Sequence, residues 1–199
     1  MSQKKKTFNA AYFNELYSSN PDPWNFEHSE YEKAKYEQTM LMIPDTIYNA
    51  GLEIGCSNGL LTLRLRQRCR NLLAVDSSSV AVEKAAERLA GFTNVTFAEM
   101  EVPAEFAEGK FDLIVFSEVG YFMTEQDLLI TREKIVDALS DAGHLLLVHW
   151  TGPVAEFPLT GERVHELFLE CASSQLQKSL VHLQNHTDPQ YRMDMFQKL

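Results

Sequence analysis

The stretch that most constrains this chain is Leu52–Gly59, reading Leu-Glu-Ile-Gly-Cys-Ser-Asn-Gly. It follows Gly51 and precedes Leu60, Leu61, Leu63 and Leu65, an apolar run that can line one side of a helix. A strand end, a glycine turn and a helix start are therefore expected. That is the first βα unit of a doubly wound sheet, where such folds bind nucleotides. The pattern is acid-x-Gly-x-x-x-Gly. Ser57 and Leu60 occupy the places where Gly-x-Gly-x-x-Gly would need glycines, and no Gly-Lys-Ser/Thr follows, so neither a dinucleotide fingerprint nor a P-loop is present.

A pyrophosphate is held by backbone amides at a helix N-terminus. Here Glu53 stands at the strand end, where a carboxylate would repel phosphate and pair with an ammonium group. Gly55 and Gly59 would let backbone and ligand come close. This chemistry suits a zwitterionic, phosphate-free nucleoside such as S-adenosylmethionine. The competing reading is a plain strand–turn–helix whose glycines serve packing.

From Ala50 the chain alternates strand and helix. Strands are expected at 51–54, 71–75, 94–100, 110–116 and 143–148. Helices are expected at 58–68, 79–90 (capped by Gly91) and 125–139. Repeated strand–helix units imply right-handed crossovers and a parallel sheet. Before this core, helices are expected at 8–19 and from Ser29 to about Ile43, where Pro44 stops the second. Between them lies Asn20-Pro-Asp-Pro-Trp24-Asn-Phe26, which cannot be helix. Trp24 and Phe26 there are either core filler or a lid. After Pro153 a helix is expected at 162–171. Two alternating strands, 175–183 and 190–196, would close the sheet antiparallel. The expected organisation is a single domain with a helical appendage at 1–48, a ligand-binding core at 50–150 and a terminal helix-and-strand unit at 151–199.

Ligands in open α/β sheets lie beyond the carboxyl ends of the strands. The candidates are accordingly Glu53, Gly55, Cys56, Ser57 and Gly59 after the first strand, and Asp76 with Ser77 after the second. After the third come Glu101 and Val102, after the fourth Ser117, Glu118, Gly120, Tyr121 and Phe122, and after the fifth His149 and Trp150. Asp76 can accept from a ribose diol or cap the next helix. Glu101, with Glu99 as competitor, can accept from an adenine amino group while the Val102 amide donates to the ring. His149 reads either as a structural residue or as a substrate contact or base.

The 199 residues carry a formal charge of −10, which argues against a phosphate-driven partner such as DNA or RNA. No apolar run approaches the roughly 18 residues of a membrane span. The three cysteines, Cys56, Cys69 and Cys171, are odd in number and lack metal-type spacing, as reduced thiols of a cytoplasmic protein would be. The six histidines are scattered, so no metal is expected. Lys4–Lys6 reads as a solvated, frayed end.

With these residues in place, Glu53-x-Gly55-x-x-x-Gly59, Asp76, Glu101 and Phe111-Asp112-Leu-Ile with Ser117-Glu118 resemble the successive motifs of class I S-adenosylmethionine-dependent methyltransferases. More narrowly, the chain resembles the nodulation protein S group. The carrying segments are Asp22-Pro-Trp24-x-Phe26, Ser29-x-Tyr31-Glu-x-x-Lys35-Tyr36, His149-Trp150-x-Gly-Pro153, Val164-His-Glu-Leu-Phe168 and Tyr191-Arg-Met-Asp194. The resemblance implies a Rossmann-like α/β fold with a seven-stranded, mostly parallel sheet in the order 3-2-1-4-5-7-6. Strand seven would be antiparallel, with helices on both faces and an N-terminal helical lid.

The resemblance also implies methyl transfer from S-adenosylmethionine to a small molecule, with an amino sugar or related amine, such as that of an oligosaccharide, as the acceptor. Gly55 and its neighbours would hold the methionine part, Asp76 the ribose, and Glu101 with Val102 the adenine. Trp24, Tyr31 and Lys35 would close the site, with Lys35 meeting the cofactor carboxylate. Glu118, His149 and Tyr121 are the candidates for taking the acceptor's proton. Two departures stand out: Glu101 replaces the usual Asp, and Gly120 replaces a larger apolar residue, implying an altered substrate wall. A non-catalytic cofactor binder and a nicotinamide oxidoreductase are the rival readings.

Overall fold

The computed structural model of the protein describes residues 5–173 and 179–199. Seven strands form one sheet: β1 Tyr48–Ile54, β2 Cys69–Asp76, β3 Val95–Glu99, β4 Phe111–Ser117, β5 Leu139–Trp150, β6 Leu180–Thr187 and β7 Tyr191–Lys198. Their order is β3-β2-β1-β4-β5-β7-β6. Neighbours are parallel from β3 to β5, while β7 runs antiparallel to both β5 and β6. This is the sheet the resemblance implied. The segment expected as strand 175–183 lies partly outside the described residues, as does Lys4.

The central strands are apolar throughout because both faces of the sheet are covered. Alternate residues serve opposite faces. Ile114 and Phe116 of β4 join Leu145 and Leu147 of β5 in one core, while Leu113 and Val115 join Leu146 and Val148 in the other. The first core is closed by Leu128 and Ile135 of helix α5 (Glu125–Ala138) and by Val164 and Phe168 of helix α6 (Gly161–Ser173). The second is closed by Tyr36 and Met42 of helix α2 (Glu30–Met42) and by Leu61 and Leu65.

Helix α1 (Ala10–Ser19) starts at Asn9, whose side chain accepts the Tyr12 amide. Ser29 caps α2 in the same way through the Glu32 amide, with Glu30 and Glu32 in its first turn where the helix dipole favours acids. Two expectations need correction. The helix expected at 58–68 contracts to α3, Thr62–Leu65, because Arg64, Gln67 and Arg68 bond to carbonyls three residues back and wind the ends into turns. Gly91 does not cap helix α4 (Ser79–Arg88), whose C-cap is Leu89.

Candidate active site

A cavity of about 370 Å³ opens at the carboxyl ends of β1, β2 and β4, roofed by the N-terminal helices. One wall contains Gly55, Cys56, Ser57, Asp76, Ser77, Glu101 and Val102. Trp24, Tyr31, Lys35, Ser117, Glu118 and Tyr121 line the rest. The fold thus gathers these sequence-derived candidates, together with Phe122 and Trp150, in one place. Glu53, Gly59, Gly120 and His149 stand outside the lining.

The glycine turn is built by packing as much as by approach to a ligand. Gly55 has φ +92°, and a Cβ there would come within 2.3 Å of Val119 Cγ2 and 2.6 Å of the Ser117 carbonyl oxygen. Gly59 has φ +81°, and its Cβ would meet Ala85 of α4 and the C-cap Leu89 at 3.0 Å. Both spaces are therefore filled by protein, and the glycines allow β1 to lie against β4 and α4. Ser57 also adopts positive φ. Its amide donates to Asp76 Oδ2 at 3.0 Å and its hydroxyl accepts from Tyr17 at 2.6 Å.

Asp76 accepts a second amide, from Ser78, at 3.0 Å on Oδ1. It therefore works both as the organiser of the turn and as a cavity wall. Burial raises its proton affinity, opposed by these amides. The Glu101 carboxylate accepts the Ala10 amide at 3.3 Å, so it sits on the first turn of α1 as well as on the cavity.

Glu53 lies wholly buried beneath the turn and outside the cavity lining, and neither carboxylate oxygen has a hydrogen-bond partner among the described residues. Burial pushes its carboxyl up to about 8, with the Thr62 hydroxyl opposing and Asp76 adding. The folded state therefore keeps a proton that the unfolded chain releases near 4.5. Stability associated with this group is complete below that value and is lost as pH rises toward 8, by up to about 1.4 kcal/mol per pH unit. Glu53→Gln, which cannot titrate, is expected to gain melting temperature relative to the natural protein between pH 5 and pH 8. A constant difference across that range would refute the assignment.

On the opposite wall Lys35 is 2% exposed and is held between two acids. Its Nζ lies 2.9 Å from Glu32 and 2.6 Å from Glu118. Glu118, at φ +57°, is the hub of this wall. Its Oε2 accepts the Tyr121 hydroxyl at 2.7 Å and the Trp150 amide at 2.9 Å. Burial keeps Tyr121 protonated, and the adjacent Glu118 adds to that. The Glu32 carboxylate has only Lys35 as a hydrogen-bond partner among the described residues. Burial raises its proton affinity, and Lys35 lowers it. Glu32 was missed in the sequence because it reads as an ordinary first-turn acid. The Tyr31 hydroxyl is buried with no hydrogen-bond partner among the described residues.

Over the opening, Trp24 stacks on Phe26 at 5.5 Å and meets Tyr17 edge-on at 5.6 Å. Trp24 is still 39% exposed. Its loop is fixed from within by Asp22, which accepts the Phe26 and Glu27 amides, and from α4 by Lys84 to the Pro21 carbonyl. Gly120 faces away from the cavity opening: a Cβ there would meet Val164 at 2.7 Å and His149 Nε2 at 3.0 Å. It admits α6, so the altered substrate wall expected at this position is not found. His149 is fully buried and accepts the Gly120 amide at 3.2 Å.

Among the described residues no helix is long and apolar enough to cross a membrane. A family model for nodulation protein S (NodS) matches residues 14–151. Nodulation protein S of Rhizobium tropici is 27% identical over 63% of this chain, and the match covers 53% of that relative. The chain thus spans about half the length of the curated relatives it matches. An N-methyltransferase NodS from Bradyrhizobium japonicum WM9, solved with S-adenosyl-L-homocysteine, superposes with a TM-score of 0.82 at 21% identity, covering 96% of this chain and 99% of that one. A suspected methyltransferase from Pseudomonas syringae superposes at 0.71 with 34% identity, covering 85% and 100%.

Proposed function

The chain belongs to the nodulation protein S (NodS) family, and from that premise we propose that it is an S-adenosylmethionine-dependent methyltransferase acting on a nitrogen of a small molecule. The observation that carries this reading is the placement of Asp76, Glu101 and Val102 around one end of a cavity whose far wall holds a buried acid–lysine–acid cluster. The solved relative named as an N-methyltransferase favours nitrogen. The finer assignment, an amine of an amino sugar, rests on the same relationship.

The residues present fit the cofactor. Asp76 spends one bond on each of two amides, which leaves carboxylate lone pairs for a ribose diol. Val75, Met100 and Val102 give the same end apolar walls for a purine, and the Glu101–Val102 edge offers an acceptor and an amide. The turn backbone at Gly55–Ser57 would receive the methionine part. When bound, the cofactor supplies an electrophilic methyl carbon whose leaving group is a neutral thioether.

The chain's own residues then have three tasks. The aromatic roof of Tyr17, Trp24 and Phe26 limits water, and orientation supplies much of the rate. The Glu118 carboxylate already accepts three donors, so it holds Lys35, Tyr121 and the Trp150 backbone in place rather than taking a proton. An acceptor arriving as ammonium must give up a proton before its nitrogen can attack. Glu32 has lone pairs to spare and lines the cavity, so it is the residue to take that proton. His149 and Glu53, both enclosed, take no direct part.

The test is calorimetric titration with S-adenosylhomocysteine, with NAD as control. S-adenosylhomocysteine alone should bind, and Asp76→Ala should weaken it by about 100-fold, since hydrogen bonds to a charged group are each worth roughly 1.5–3 kcal/mol. Binding of NAD instead would return the site to the oxidoreductase reading. Methyl transfer to a panel of amines then separates an enzyme from a cofactor binder.

A further inference from the structure

Three separate stretches resembling the nodulation protein S group, around His149, His165 and Asp194, have no part in the chemistry above. The fold brings them into one continuous buried chain. The Gly120 amide donates to His149 Nε2 at 3.2 Å. His149 Nδ1 lies 3.2 Å from His165 Nε2, and His165 Nδ1 lies 2.6 Å from Asp194 Oδ2. All three side chains are fully buried. Asp194 also accepts Arg192 Nε at 2.7 Å and pairs with the part-exposed His182 at 2.6 Å, and Arg192 reaches Glu162 at 2.8 Å.

Hydrogen-bond accounting fixes every proton in this chain. An amide N–H can only donate, so His149 Nε2 is bare and its proton is on Nδ1. That proton faces His165 Nε2, which must then be bare, so His165 carries its proton on Nδ1, facing the carboxylate. An imidazolium at His165 would need a His149 with no ring proton at all. Both rings are therefore neutral while the chain is intact. Burial lowers the proton affinity of each, which agrees. The rings are strung in series, and among the described residues no group of three such side chains converges as metal ligands do.

The chain ends under the Gly120–Phe122 turn, whose Tyr121 hydroxyl bonds Glu118 in the cavity wall. We propose that His165, anchored by Asp194, is a positioning residue: it holds His149 in the tautomer that can accept the Gly120 amide, and so fixes the turn that presents Tyr121 and Glu118. Only the description of that cavity as a methyl-transfer site rests on the proposed function. The proton assignment stands apart from it.

The test is long-range nitrogen–proton NMR on the full chain with 15N-labelled histidine, with hydrogen exchange at Gly120. His149 and His165 should both show the Nδ1–H tautomer and stay neutral from pH 6 to 8. His165→Phe removes the acceptor from His149 Nδ1. The Gly120 amide should then exchange at least tenfold faster, and His165→Gln, which keeps an acceptor oxygen, should restore part of the protection. Asp194→Asn should turn its oxygen to His165 and Arg192, neither of which can stop donating there without breaking the chain, and its amide to His182. The His182 tautomer should therefore switch while that of His149 stays. An Nε2–H or charged His149 in the natural protein, which needs no variant to observe, overturns the proposal. So does unchanged Gly120 exchange in a folded His165→Phe.

Discussion

Lys35→Met is expected to destabilise the fold by roughly 3–5 kcal/mol at neutral pH, the usual consequence of removing one partner from a buried ion pair. Methionine fits the stem of lysine, so the loss is not one of volume. What disappears is the ammonium between Glu32 and Glu118, both largely enclosed. Burial by itself would depress the charge on Lys35, yet the carboxylates of Glu118 and Glu32 reverse this and hold the ammonium well above its ordinary value. Without it, Glu118 keeps the Tyr121 hydroxyl and the Trp150 amide, but Glu32 keeps nothing among the described residues. Glu32 must then bind a proton that the unfolded chain does not hold, so the deficit should widen between pH 5 and pH 8.

The double variant Lys35→Met with Glu32→Gln should recover part of the loss, because it removes the stranded charge. Urea unfolding at the two pH values measures all of this. A deficit under about 1 kcal/mol would mean that water reaches the cluster and that the pair behaves as a surface one. The result also bears on function. Met at position 35 would remove the ion pair that ties α2 to Glu118, so the Lys35 wall of the cavity should lose definition before the Asp76 wall does.

The sheet was legible because its signals are local. Continuous short apolar runs, strand-end acids and breakers place β1 to β5, and Ser29 with Pro44 bounds α2 to within a residue. The candidate wall from Gly55 to Val102 was legible for a related reason. Once the strands are placed, topology alone brings their carboxyl ends together. What the sequence did not show is how those side chains spend their hydrogen bonds. Glu118 looked like a base, and only the folded chain brings it the Lys35, Tyr121 and Trp150 donors that occupy it. His149 looked like a strand-end ligand contact, but α6 covers it, and α6 can lie that close because neither residue 120 nor residue 161 has a side chain. Glu53 looked like a partner for an ammonium group, and its burial outside the cavity lining is decided by how β1 packs rather than by motif spacing.

Gly55→Ala should be about as damaging as Lys35→Met, and for a reason that separates two roles of glycine. At φ +92° any L side chain is strained, at a cost of roughly 1–3 kcal/mol. The added methyl would also overlap the Ser117 carbonyl oxygen and Val119, and the first is backbone that cannot swing aside. Overpacking of this kind adds about 1–3 kcal/mol. Gly109 supplies the control: it has φ +105°, and a Cβ there would meet nothing within 4 Å, so Gly109→Ala reports the strain alone. The difference between the two variants is therefore the steric cost of holding β1 against β4. That contact also carries the Ser57 amide to Asp76. At temperatures where Gly55→Ala remains folded, S-adenosylhomocysteine should bind it at least tenfold more weakly than it binds Gly109→Ala. Equal affinities would show that the turn can widen without disturbing Asp76. The glycine would then serve only the sheet, and the link between the packing of the turn and the binding of a nucleoside would be lost.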